Sequence, residues 1–192
     1  MIFRERTWSW GQFMQTVDAT ARMLASRGIG HGDRMAVMAR NCDSHVILLF
    51  ALARLGAIMV PVNPEFGVAE AKYVLHHAEV SAVAATQDTL AVAHDAAAGL
   101  NTPAWFIMLD AAAGAAPLLE DLLKAVPQAA LPADITGDAT CLIVYTSGTT
   151  GFPKGAMHSQ KSFVAGGEAF VQRVYLQDDD RVMIVLPLFH IN

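Results

Sequence analysis

Cys141-Leu142-Ile143-Val144 runs directly into Tyr145-Thr146-Ser147-Gly148-Thr149-Thr150-Gly151-Phe152-Pro153-Lys154-Gly155, and the reading of that junction decides the fold. The first four residues are a short apolar run, the pattern of a buried strand. The next eleven hold four hydroxyl side chains (Thr146, Ser147, Thr149, Thr150), three glycines and one lysine. From about residue 159 to 174 the spacing predicts a helix. Strand, glycine-rich loop and helix in succession let backbone N–H groups converge on a phosphate. The hydroxyls add donors to phosphate oxygens, and Lys154 adds a charge that pairs with an anion. Gly148 and Gly151 permit close approach of the main chain. A solvated surface loop of the same residue types is the alternative. Such a linker does not usually end in Pro-Lys-Gly or sit directly on a buried strand. The Walker spacing G-x-x-x-x-G-K-[ST] is not met, because Pro153 precedes Lys154 and Gly155 follows it. That disfavours a Walker-type NTPase.

Upstream, apolar runs of strand length alternate with helical periods. Residues 3–8 read as a short strand or hairpin arm. Ser9 and Gln12 make a capping-box pattern, followed by Trp10, Phe13, Met14, Val17, Ala21 and Leu24 at helical spacing, with Gly28 as the stop. A turn at 30–33 precedes a strand over Arg34–Met38. Residues 45–55 are apolar nearly all round, which predicts a deeply buried helix, with Asn41, Asp43 and Ser44 available as caps. A strand over 57–62 follows, ended by Pro61 and Pro64. Next come a helix over 66–79, a strand over 81–85, a helix over 87–98 and a strand over 104–109. The helix over 66–79 is expected to turn Val68, Ala71, Tyr73, Val74, Leu75 and Ala78 inward. This alternation predicts an α/β protein: a parallel, doubly wound sheet with helices on both faces. Residues 1–109 form its sheet region. Residues 110–138, rich in alanine, proline and glycine, are a surface excursion with one short amphipathic helix near 118–126. Residues 139–192 form the phosphate-loop region. There the last helix is expected to carry Phe163, Val164, Phe170, Val171 and Val174 toward the core, and 181–186 to form a last strand.

Composition narrows the function classes. The 192 residues are 54% hydrophobic and 16% charged, enough apolar surface for a sizeable core and incompatible with a disordered tail. The net charge of −5 argues against a nucleic-acid surface, which calls for a basic stripe. Cys42 and Cys141 lie far apart beside apolar runs, so free buried thiols in a reducing cytosol are expected. No basic leader runs into an apolar core, and a cytoplasmic protein is expected. The apolar run 46–62 contains Arg54, Gly56 and Pro61 and is short for a membrane span. His76 and His77 are adjacent, hence about 100° apart on a helix, and cannot easily share a metal ion. Asp178-Asp179-Asp180 reads as a solvated turn, although an acidic triplet could also hold a metal.

Residues 145–155 resemble, position for position, the signature of the adenylate-forming acyl- and aryl-CoA synthetases, the superfamily that includes luciferases and peptide-synthetase adenylation domains. Two further stretches resemble family segments in the same order. They are Gly56-Ala57-Ile58-Met59-Val60-Pro61-Val62-Asn63-Pro64 and Leu186-Pro187-Leu188-Phe189-His190-Ile191-Asn192. The likeness to fatty-acyl and carnitine-type CoA ligases is stronger than that to peptide-synthetase domains. It implies a partial N-terminal AMP-binding domain and a two-step acid–thiol ligase. A carboxylic acid and ATP give an acyl-adenylate, and coenzyme A then gives the thioester. It implies nucleotide-binding roles for Thr146, Ser147, Gly148, Thr149, Thr150, Gly151 and Lys154, and catalytic roles for Lys154 and His190. The matching histidine of the family lines the junction of nucleotide and acyl pockets. The hydroxyl of Thr149 is the candidate neighbour of Mg²⁺, a metal that takes few protein ligands besides phosphate oxygens and water. Family members are more than twice this long and carry further motifs beyond the position of Asn192. Little ligase activity is therefore expected of these 192 residues alone. The alternative is a non-catalytic nucleotide- or partner-binding module, and self-association through a sheet edge is expected under either reading.

Overall fold

The computed structural model describes residues 1–101, 104–111, 113, 114, 116–125, 128–146 and 153–190. Strands β1 (Ile2–Phe3) and β2 (Arg6–Thr7) make a small antiparallel hairpin. Helix α1 (Trp10–Ser26) begins with the expected capping box. The Ser9 hydroxyl accepts from the Gln12 N–H at 3.2 Å, and the Gln12 side chain accepts from the Ser9 N–H at 2.9 Å. Then follow β3 (Arg34–Met38), α2 (Asp43–Leu55), β4 (Ile58–Val62), α3 (Val68–His77), β5 (Ala82–Ala85), α4 (Leu90–Ala97) and β6 (Trp105–Met108). A short α5 (Leu119–Leu122) precedes β7 (Thr140–Thr146), β8 (Lys154–Ser159) and α6 (Gln160–Val174). One sheet collects β3 to β8 in the order β6-β5-β3-β4-β7-β8. It is parallel from β6 to β7, and β8 alone runs antiparallel.

The pleat sends alternate strand residues to opposite faces. Met35, Val37, Met59, Ala82, Ala84, Ile107, Leu142 and Val144 join a core with α1 and α2. Ala36, Met38, Val60, Val62, Val83 and Ala85 join a second core with α3 and α4. Helices thus cover both faces, as expected. Gly56 ends α2 at φ +68°, and a Cβ there would stand 2.7 Å from Ile135 Cδ1 and 2.8 Å from His31 Cδ2. Only glycine suits both the left-handed turn and that contact.

Four expectations are corrected. The strand before residues 147–152 is followed after them by a strand and not directly by a helix: β8 returns beside β7, so the amino end of α6 lies a full strand away from that segment. Residues 181–186 form no strand, and His190 therefore sits in a turn rather than at a strand end. No residue of α6 is buried; Val164, Phe170, Val171 and Val174 are exposed, and only Phe163 packs on the α1/α2 core. Pro61 lies inside β4 instead of ending it. The Ile58 N–H donates to Asp33 O, so residues 58, 60 and 62 turn their backbone groups to β3, and 59 and 61 turn theirs to β7. The β4–β7 ladder is paired at Met59 and Leu142. Pro61 takes the next β7-facing position, where it has no N–H to give.

Candidate functional site

The loop begins and ends at the carboxyl edge of the parallel strands, where ligands bind in open α/β sheets. Thr146 is the last residue of β7 and Lys154 the first of β8; the two are direct cross-strand partners, and both are exposed. Ser147, Gly148, Thr149, Thr150 and Gly151 lie outside the described residues. Helix α3 touches both stems of the loop. His77 Nδ1 lies 2.7 Å from the Tyr145 hydroxyl, and the Tyr73 hydroxyl donates to Pro153 O at 3.1 Å. Burial pushes the Tyr145 phenol up to about 12, with Tyr73 adding to the shift, so the group is neutral at physiological pH.

His190 comes to the same edge by a different device. The Asn41 side chain, just beyond β3, accepts from the Leu188 N–H at 2.7 Å and donates to Leu186 O at 2.9 Å. One amide thus copies the pairing of a strand and fixes the 186–188 segment. The His190 N–H donates to Pro187 O at 3.1 Å, and its exposed ring leans on Phe189 at 4.8 Å. β3 lies two strands from β7, about 10 Å across the sheet. Beside Asn41, past the carboxyl ends of β3 and β4, opens a cleft of about 350 Å³ lined by Arg40, Asn41, Pro64, Glu65, Val185, Pro187 and Phe189. Arg40 bridges Glu65 at 2.7 Å and Asp88 at 3.3 Å. The Thr86 hydroxyl, 2.6 Å away, and Arg40 hold the Asp88 carboxyl below the usual range.

Asn41, Tyr73 and His77 are the residues that sequence reasoning missed as site elements. Asn41 was legible only as a helix cap, Tyr73 only as a core residue and His77 only as a poor metal ligand. Among the described residues, no three His, Cys, Asp or Glu side chains gather in a way that could hold a metal ion. The Asp178–Asp180 triplet is exposed and sits in a turn, where Asp180 accepts from the Gln177 N–H at 2.8 Å. Both cysteines are free thiols, and burial pushes both up. Beside the site, Asp43 opens α2 from a buried position. It accepts from Trp8 Nε1 at 3.0 Å and pairs with Arg6, which also reaches Glu120.

Fold and edge together define an α/β protein whose candidate ligand site stands at the carboxyl ends of its strands. The AMP-binding enzyme family matches residues 1–192, and the chain belongs to that family. It is 33% identical to the crotonobetaine/carnitine–CoA ligase of Salmonella paratyphi A over 97% of its length and 37% of that protein's. It is 32% identical to the long-chain-fatty-acid–CoA ligase of Thermus thermophilus over 88% of its length and 31% of that protein's. Among solved structures, ATP-bound MatB from Rhodopseudomonas palustris superposes with a TM-score of 0.82 at 26% identity, covering 95% of this chain and 35% of that one. The chain thus spans about a third of the length of these relatives. Among the described residues, no helix is long and apolar enough to cross a membrane.

Proposed function

We propose that the chain forms the nucleotide-handling part of an ATP-dependent acid–CoA ligase. A carboxylate oxygen of the acid attacks the α-phosphorus of ATP, the bond to pyrophosphate breaks, and an acyl-adenylate forms. The thiol sulfur of coenzyme A then attacks the acyl carbon; AMP leaves, the thiol proton passes to solvent and a thioester remains. The observation that carries this reading is the hydroxyl- and glycine-rich segment strung between Thr146 and Lys154 at the carboxyl edge of the sheet. Thr146, Ser147, Gly148, Thr149, Thr150 and Gly151 offer amides and hydroxyls to the β- and γ-phosphates, and the Lys154 ammonium offsets their charge. That is electrostatic positioning of a leaving group. ATP enters with Mg²⁺ on its phosphates, and the Thr149 hydroxyl is the protein group we assign beside the ion. His190 borders the junction of nucleotide and acyl group. The carnitine- and long-chain-specific relatives support a fatty or carnitine-type acid and a role in fatty acid metabolism, and we assign the enzyme to the cytoplasm. The chain is read as part of one N-terminal domain of such an enzyme.

Isothermal titration of ATP with Mg²⁺ into this chain tests the reading. Binding should weaken roughly tenfold in Lys154→Ala, the factor for one charge-assisted contact. Absence of binding at millimolar ATP would sink it. A partner- or self-binding role is favoured by a separate observation. Phe170, Val171 and Val174 on α6 and Val182 to Leu186 stand exposed, an apolar surface of the kind that marks contacts.

A further inference from the structure

We infer that Tyr73 and His77 of α3 form a latch that fixes both stems of the 147–152 loop. We further infer that residue 155 is glycine because the Tyr145 ring must lie across it to reach that latch. Tyr145 is the second-last residue before the loop leaves β7, and its hydroxyl is bound to His77. Pro153 is the residue on which the loop returns, and its carbonyl is bound by Tyr73. The two α3 residues are one turn apart, so their rings stack, at 5.4 Å and 23°. The Tyr145 ring meets both edge-on, at 6.4 Å from Tyr73 and 5.7 Å from His77. One turn of one helix therefore grips the departing strand and the arriving strand at the loop end of their shared ladder.

Gly155 faces Tyr145 directly across the β7–β8 ladder. A Cβ at 155 would stand 2.8 Å from Ile143 Cγ2 and 3.2 Å from Tyr145 Cζ, so any side chain must push the ring or Ile143 aside. Gly155 is not among the glycines with positive φ. Conformational freedom is therefore not the reason for glycine here; room for the ring is. The phosphate-loop reading asked glycine for close approach to an anion, and Gly155 serves the loop from below instead. Tyr73, His77 and Tyr145 are positioning residues: they hold the frame from which the loop hangs. Their bearing on nucleotide rests on the phosphate-loop reading, whereas the latch itself does not.

The test needs a readout that works without nucleotide. Tryptic cleavage after Lys154, followed by mass spectrometry, reports opening of the stem, with cleavage after the exposed Lys124 as internal reference. Tyr145→Phe and Tyr73→Phe should each speed cleavage after Lys154 about threefold to tenfold, the factor for one lost hydrogen bond. Gly155→Ala should match them. Added to Tyr145→Phe, it should raise the rate by less than the product of the two single effects, because both act by losing the Tyr145–His77 hydrogen bond. Unchanged cleavage in all three single variants would overturn the latch, and fully multiplicative effects would remove Gly155 from it. Variants that open faster should also bind ATP at least about threefold more weakly, by the same loss. Faster cleavage with unaltered ATP affinity would refute the positioning role. If the parent chain binds no ATP, the phosphate reading fails, and faster cleavage in the variants still supports the latch.

Discussion

Helices α2 and α6 both carry apolar residues, nine of thirteen in α2 and seven of fifteen in α6, and meet opposite fates. α2 leaves the carboxyl end of β3 and buries Ile47, Leu48, Ala51, Leu52 and Leu55, together with His45. α6, two residues longer, has no fully buried residue; of its apolar residues only Phe163 is half-buried, and Phe170 is 53% exposed. Composition accounts for part of the difference, and what each helix follows accounts for the rest. α2 is a crossover between parallel strands and must lie back on the sheet. α6 follows an antiparallel edge strand, so nothing in the connection draws it across a face. Apolar periodicity tells which side of a helix seeks cover; it does not tell whether the residues at hand supply the cover.

Paired truncations would break this contrast most directly. Leu52→Ala removes a fully buried side chain and should cost about 3 kcal/mol, lowering Tm by roughly 6–12 °C. Phe170→Ala should stay within about 0.5 kcal/mol. Thermal melts of the two variants decide it, and comparable losses would mean that α6 is as much a part of the core as α2.

Acid should also find α2 and leave α6 alone. His45 is 2% exposed, its Nδ1 has no hydrogen-bond partner among the described residues, and burial holds its pKa at about 4 against an ordinary 6.5. The folded chain therefore takes up the proton later than the unfolded chain as pH falls. Stability from the neutral imidazole is complete above pH 6.5 and drains away as pH falls through about 4, to a total of about 3 kcal/mol. His45→Met should flatten the acid limb of a stability–pH curve between those values while changing little at neutral pH. An acid limb unchanged by the substitution would show that other groups control it.

The same contrast explains how far the sequence could be read. The bounds of β3, the Ser9–Gln12 cap and the buried character of α2 follow from local period and local hydrogen bonds. β8 escaped because Lys-Gly-Ala-Met-His-Ser carries little apolar signal; it is an edge strand with one ladder, and its large apolar residue, Met157, faces solvent. Pro61 looks like a terminator in the sequence because periodicity cannot say which neighbour a strand nitrogen faces. At the site, the stems Thr146 and Lys154 were visible as a motif. Asn41 and His77 were not, since their partners lie 147 and 68 residues away. Composition around either residue carries no trace of such a pairing.

Asn41 gives the contrast an intermediate case: a segment that is neither core nor free. Residues 182–186 are as exposed as α6, yet their carboxyl end is pinned by two hydrogen bonds from a single side chain. Asn41→Ala should release the segment at a local cost of about 1–2 kcal/mol. Amide exchange at Leu188 should then quicken roughly tenfold, with the protection of β3 unchanged. Equal loss of protection in β3 would mean that Asn41 serves the sheet and not the His190 segment.

The smallest effect belongs to the α6 surface itself, where the sign of a substitution matters more than its size. If Phe170 and Val174 lie against a second copy of the chain, association stabilises the folded state by mass action and makes Tm rise with protein concentration. Phe170→Ser with Val174→Ser should then remove that dependence while moving Tm by no more than about 2 °C in dilute solution. Sedimentation velocity on the parent and the double variant supplies the second reading. A parent that stays monomeric with a concentration-independent Tm would show that copies of this chain do not cover the face, leaving α6 as an apolar helix open to a different partner.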